Sequence, residues 1–283
     1  MAAQVAHPES IVDTDWVAEH ANDDNVVLVE VDVDTEAYEQ GHIPGAIGWN
    51  WTTQLNDTVT RDILNKEQIE SLLGSSGITP DSTIIVYGDN NNWFATYAFW
   101  QLKIYGHADV RVMNGGRIKW VSEGRDLTAD VPSVEATSYT ASDADLSTRA
   151  TRDDMLNIAR GETASAMVDV RAPAEFSGEL LAPANLPQEG SQRGGHIPGA
   201  TNIPWLTAVN EDDGTFKSVE DLQAAYQGKG ITGDGPTVAY CRIGERSSHT
   251  WFVLSQILGY DNVTNYDGSW TEYGSIVGAP IEK

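Results

Sequence analysis

Two short apolar runs, "TIIVY" at 83–87 and "TVAY" at 237–240, are each followed by a loop and then by a stretch that is apolar nearly all round, 93–105 and 248–258. Short runs rich in β-branched and aromatic residues predict buried strands, and the longer apolar stretches predict buried helices. Upstream, "VVLVEVDVDTEAYEQ" and "SAMVDVRAPAEFSGE" each read as a short apolar strand that ends in acidic residues and an aromatic. Strands alternating with helices predict an α/β fold with parallel sheets covered on both faces.

The pattern is written twice. "GHIPGA" stands at 41–46 and again at 195–200, and Tyr87 answers Tyr240, Gly106 answers Gly259 and Val110 answers Val263 at a constant offset of 153. A repeat of this length is a duplicated domain; solenoid repeats run to roughly 20–50 residues. The segment "TADVPSVEATSYTASDAD" is polar and lacks helical periodicity, so it reads as a linker. The expected division is therefore 1–127, a linker at 128–145, and 146–283. The His-Ile-Pro-Gly sequence suits a tight turn, which makes His42 and His196 structural residues.

Charge narrows the choice of partners. With 42 Asp and Glu against 17 Lys and Arg, the formal charge is −25, a field that repels nucleic acid and anionic membrane. The acid is spread over both halves and only six lysines are present, which reads as a surface adapted to high salt, where charge repulsion is screened. The start of the chain has neither a basic nor an apolar leader, and no run is long enough to span a bilayer, so a cytoplasmic location is expected. A single cysteine excludes an intrachain disulfide and a cysteine-cluster metal site. No cofactor is expected.

That cysteine sits in "YCRIGERSSHTWF", 240–252. It follows a predicted strand and precedes a helix expected to begin near Ser247 or Ser248. The N–H groups of 242–247, those of Gly244 and Ser247 among them, can converge on one point with the positive end of the helix behind them. Such a field should favour thiolate and make Cys241 a nucleophile. Arg242 and Arg246 add forked donors suited to an oxyanion. By the offset of 153, Gly88 stands where Cys241 stands, in "GDNNNWF". The first copy therefore lacks a nucleophile and is expected to serve as a structural partner closing one side of the pocket.

Together the paired "GHIPGA" segments, "GDNNNWFATYA" and "CRIGERSSHTWFVL" resemble the rhodanese family, specifically two-domain thiosulfate sulfurtransferases of actinobacterial and haloarchaeal type with an inactive N-terminal copy. The resemblance implies two tandem rhodanese-like domains. It also implies a reaction in which Cys241 attacks the outer sulfur of thiosulfate, releases sulfite, and passes its persulfide sulfur to cyanide or another small thiophilic acceptor such as a thiol. Arg242, Arg246, Gly244 and Ser247 would hold the substrate, and Asp169 matches the family's acidic residue that braces the active loop. Arg171 is a weaker candidate on the same sheet edge, and His249 has no assigned role. The chain departs from the animal enzymes at Ile243 and Glu175, where they carry a lysine and, nearby, an arginine. Arg242 directly after the cysteine favours thiosulfate over 3-mercaptopyruvate. The C-x4-R spacing favours sulfur transfer over a cysteine phosphatase, and the retained cysteine argues against a non-catalytic binding module.

Overall fold

The apolar runs become the central strands of two parallel sheets. "TIIVY" is β4 (Thr83–Tyr87), buried at every position; with β1 (Ile11–Val12), β2 (Val26–Glu30), β3 (Ile47–Gly48) and β5 (Val110–Met113) it forms a sheet of order β1-β5-β4-β2-β3. "TVAY" is β8 (Thr237–Tyr240), which joins β6 (Ala166–Asp169), β7 (Thr201–Asn202) and β9 (Val263–Tyr266) in the order β7-β6-β8-β9. Every pairing in both sheets is parallel. A single parallel bridge, Arg149 to Asn265, stands beside β9 where β1 stands beside β5.

The computed structural model describes residues 3–182 and 190–283. They divide into one unit of His7–Leu146 with Asn210–Phe216, and another of Ser147–Val209 and Lys217–Lys283 with the residues before His7. Among the described residues, no helix is long and apolar enough to cross a membrane.

The two "GHIPGA" turns are held in the same way. His42 bonds the Tyr38 carbonyl through Nδ1 at 2.8 Å and stacks on the Tyr38 ring; His196 bonds the Phe176 carbonyl at 2.9 Å and stacks on Phe176. The Tyr87 hydroxyl accepts from the Ile43 N–H at 3.0 Å, and the Tyr240 hydroxyl from Ile197 N–H at 3.2 Å. Each turn also rests on a carboxylate–arginine bracket. Asp169 holds Arg171 at 2.6 Å, and Arg171 donates to the Gly195 carbonyl at 2.7 Å. In the first copy Glu30 holds Arg117, which donates to the Gly41 carbonyl. The carboxylates occupy matching strand ends, since Glu30 pairs in register with Tyr87 and Asp169 with Tyr240. The arginines come from different places in the two copies, so the duplication kept the bracket and not its sequence.

One expectation changes. The second buried helix begins at Glu245, not at 247 or 248, because Gly244 takes the left-handed conformation (φ +102°) and turns the chain directly into it. It runs Glu245–Phe252, buried throughout, and continues as a π-helical turn at Val253–Ile257. The polar segment 128–145 has no helix or strand and is tied down along its length. Thr137 bonds the Gly74 and Ile78 carbonyls, Ser142 bonds Tyr105, and Asp145 bonds Ile104. Polar side chains and main-chain groups fasten it to its own unit, a signal that hydrophobic periodicity does not carry.

Candidate active site

Cys241 is the residue after β8, at the carboxyl edge of its sheet, where open parallel sheets present ligands. The loop it opens is anchored at both faces of the peptide chain. Cys241 N–H donates to Ser269 Oγ at 3.0 Å, and its carbonyl accepts from Trp270 N–H at 3.0 Å. The Arg242 carbonyl accepts from Thr271 N–H at 3.0 Å. Gly244 is obligatory for a second reason besides its φ: a Cβ there would lie 2.8 Å from Asp267 Cα.

The sulfur has two close partners. Gly244 N–H donates to Sγ at 3.2 Å, and Sγ lies 3.2 Å from Glu245 Oε2, which accepts the thiol proton as a hydrogen bond. Ser247 and Ser269 hydroxyls stand farther off, at 3.6 and 3.9 Å, and lie closer to Asn265 Oδ1 and the Tyr266 carbonyl, each at 2.6 Å. Cys241 has no exposed surface. The expected lowering of its pKa is not met. Burial and then the Glu245 carboxylate push the thiol up, and Arg246 and the hydrogen bonds from Ser247 only partly oppose them. The Gly244 N–H points at the sulfur as the sequence implied, but desolvation of a charge outweighs it.

The arginines are buried and already matched. Arg246 forks onto Glu175, with Nη1 to Oε2 at 3.0 Å and Nη2 to Oε1 at 3.2 Å, and its Nε lies 3.5 Å from Glu245 Oε1. Arg242 lies 3.5 Å from Glu175 through Nε and 3.6 Å from Glu245 through Nη2. Burial tends to raise the Glu175 carboxyl, but the hydrogen bonds and charge of Arg246, with the charge of Arg242, hold it below its ordinary range. Among the described residues, two guanidinium groups and two carboxylates thus form one buried quartet of zero formal charge.

Of the residues the sequence singled out, Cys241, Arg242, Gly244, Arg246 and Ser247 come together. Asp169 is placed otherwise: its carboxylate bonds Arg171 and the Arg171 N–H, and through Arg171 it braces the Gly195 turn. His249 is buried against the edge of Trp205, and burial lowers its pKa to about 3, so it is neutral. Glu175 and Glu245 are the residues that sequence reasoning passed over. Glu245 carried a signal, an acid inside a loop expected to be cationic. Glu175 carried one only as a departure from the animal pattern. Among the described residues, no group of three or more His, Cys, Asp or Glu is arranged to hold a metal ion.

The matching loop of the first copy is closed by its own side chains. Asn90, Asn91 and Asn92 are all left-handed, Asn92 Oδ1 accepts the Gly88 N–H at 3.0 Å, and Asp89 accepts from Val33 and Asp34 N–H. A Cβ at Gly88 would lie 2.1 Å from the Val31 carbonyl oxygen. Gly88→Cys should therefore create no second reactive site and should lower stability by about 2 kcal/mol or more through overpacking against backbone. Urea unfolding and thiol titration of the variant check both parts; a stable protein with a second reactive thiol would contradict them.

The rhodanese-like domain model matches residues 13–123 and again 151–275. The chain belongs to the rhodanese family. Among rhodanese relatives it is 56% identical over 278 residues to a protein of Haloferax volcanii described as a "Putative thiosulfate sulfurtransferase", covering 96% of each chain. It is 55% identical over 280 residues to a sulfur carrier protein of Thermus thermophilus, covering 98% of each. Its fold matches the crystal structure of a 3-mercaptopyruvate sulfotransferase from Escherichia coli with a TM-score of 0.77 and 26% identity, over 92% of this chain and 98% of that one.

Proposed function

We propose that this rhodanese is a thiosulfate sulfurtransferase whose second copy, 146–283, carries sulfur as a persulfide on Cys241, and whose first copy, 1–127, has no nucleophile. The observation that carries the reading is the Cys241 sulfur itself: it lies at a sheet edge, faces a loop amide 3.2 Å away, and has two arginines packed behind its loop. The Haloferax relative adds weight to the choice of donor. The Cys241 thiolate attacks the outer sulfur of thiosulfate, the S–S bond breaks, and sulfite leaves with the bonding pair. The Gly244 and Ser247 amides stabilise the negative persulfide, and Arg242 and Arg246 set the potential around it. Asp169 acts as a positioning residue through Arg171. The terminal sulfur then passes to cyanide or a thiol.

Incubation with thiosulfate should add one sulfur, about 32 Da, to the intact chain, removable by cyanide or dithiothreitol. An unmodified cysteine would end this reading. One observation favours a second donor. The quartet around Arg242 and Arg246 has no net charge, which suits a monoanion such as 3-mercaptopyruvate better than it suits a dianion. Loading rates with the two donors at equal concentration decide between them.

A further inference from the structure

We propose that Glu245 is the proton acceptor of Cys241, a catalytic carboxylate built into the loop; as a step in sulfur loading, the proposal rests on the sulfurtransferase reading above. Sγ has no exposed surface, Glu245 is 1% exposed, and Oε2 lies 3.2 Å from Sγ. The left-handed Gly244 makes Glu245 the first residue of the buried helix, four residues after the cysteine. Its other oxygen, Oε1, is held between Arg246 Nε at 3.5 Å and Arg242 Nη2 at 3.6 Å. The carboxylate is thus fixed by one oxygen and presented to the thiol by the other.

The charge balance explains why the acceptor is internal. Among the described residues, Arg242, Arg246, Glu175 and Glu245 stand around the sulfur, with neutral His249 on the same helix and Asp267 beyond Gly244, itself matched by Arg149 at 2.8 Å. Expelling the thiol proton to water would leave a buried cluster with a net negative charge, which is costly. Passing it to Glu245 moves the negative charge from oxygen to sulfur and leaves the cluster neutral. The thiolate then attacks the outer sulfur of thiosulfate, the S–S bond breaks, and sulfite leaves as SO3(2−) while Glu245 keeps the proton, so that the negative persulfide also stands in a neutral cluster. In sum, Cys–SH, the Glu245 carboxylate and S2O3(2−) give Cys–S–S(−), the Glu245 carboxylic acid and SO3(2−), with atoms and charge conserved.

Two measurements on Glu245→Gln separate a proton acceptor from a mere neighbour. The first is alkylation of the lone cysteine by iodoacetamide against pH, without any sulfur donor. The second is the single-turnover rate of persulfide formation from thiosulfate. Removing the carboxylate charge should move the alkylation profile to lower pH, so that alkylation at pH 7 speeds up, while loading slows by about 100-fold because its acid–base partner is gone. Loading that speeds up together with alkylation would make Glu245 only a brake on thiolate formation and would overturn the proposal. So would an unmoved alkylation profile. If Glu245→Gln does not fold, Glu245→Asp carries the test: a carboxylate one methylene farther away should lower the alkylation pKa and slow loading by less than the Gln change is expected to. Wild-type behaviour in both would overturn the proposal. If wild-type protein takes no sulfur from thiosulfate, the donor reading fails, whereas an alkylation profile that does not move in Glu245→Gln still overturns the proposal.

Discussion

Cys241→Ser is expected to reduce sulfur transfer from thiosulfate by at least about 1000-fold, because a serine hydroxyl is a far weaker nucleophile at neutral pH and forms no persulfide. Stability should change by no more than about 1 kcal/mol. The new hydroxyl occupies nearly the same volume, can donate to Glu245 Oε2, and can accept from Gly244 N–H, the two contacts that Sγ makes at 3.2 Å. The main-chain ties of the loop, Cys241 N–H to Ser269 Oγ and Trp270 N–H to the Cys241 carbonyl, do not involve the side chain. Persulfide mass and thiosulfate:cyanide turnover give the first number, and urea unfolding the second. Turnover within tenfold of wild type, in a variant with wild-type unfolding, would remove Cys241 from the chemistry.

The second large effect is on stability. Glu175→Gln keeps the shape of the side chain and removes the charge that both Arg242 and Arg246 face. The two guanidinium groups would then lose the carboxylate they share with each other on that side, in a site where each is almost completely buried. Breaking a buried pair by removing one partner costs about 3–5 kcal/mol, chiefly the penalty for the charge left behind. That should lower the thermal midpoint by about 10 °C, measured at one fixed KCl concentration. The pH dependence has a definite sign. The folded Glu175 carboxyl is held below its unfolded value, so its contribution is complete above the unfolded carboxylate range and disappears as pH falls through the folded value. The gap between wild type and Glu175→Gln should therefore narrow in acid. A gap below about 1 kcal/mol at neutral pH would mean that water, and not Glu175, balances the arginines.

Apolar spacing and the repeated hexapeptide were enough to state that the chain is a duplicated α/β protein with parallel sheets, because side-chain period and turn chemistry are local properties. The loop around Cys241 was legible for the same reason: a strand, a lone cysteine, a glycine and a helix follow one another within a dozen residues. The vacancy at Gly88 was legible too, by its offset from Cys241. What the vacancy means physically was not, since the Val31 carbonyl that forbids a side chain there lies on another strand's end.

Tertiary structure alone decided the electrostatics. Glu175 and Arg246 are 71 positions apart, and only the fold brings them within 3.0 Å and turns two presumed free cations into a neutral quartet. Asp169 and Arg171 are two residues apart, yet their bond, and its use as a prop for the Gly195 turn, follow from strand register. The state of the Cys241 thiol depends on how completely surrounding elements exclude water, a sum over distant parts of the chain. Sequence placed the cysteine and the arginines; burial and pairing, which are non-local, determined which carboxylates face them.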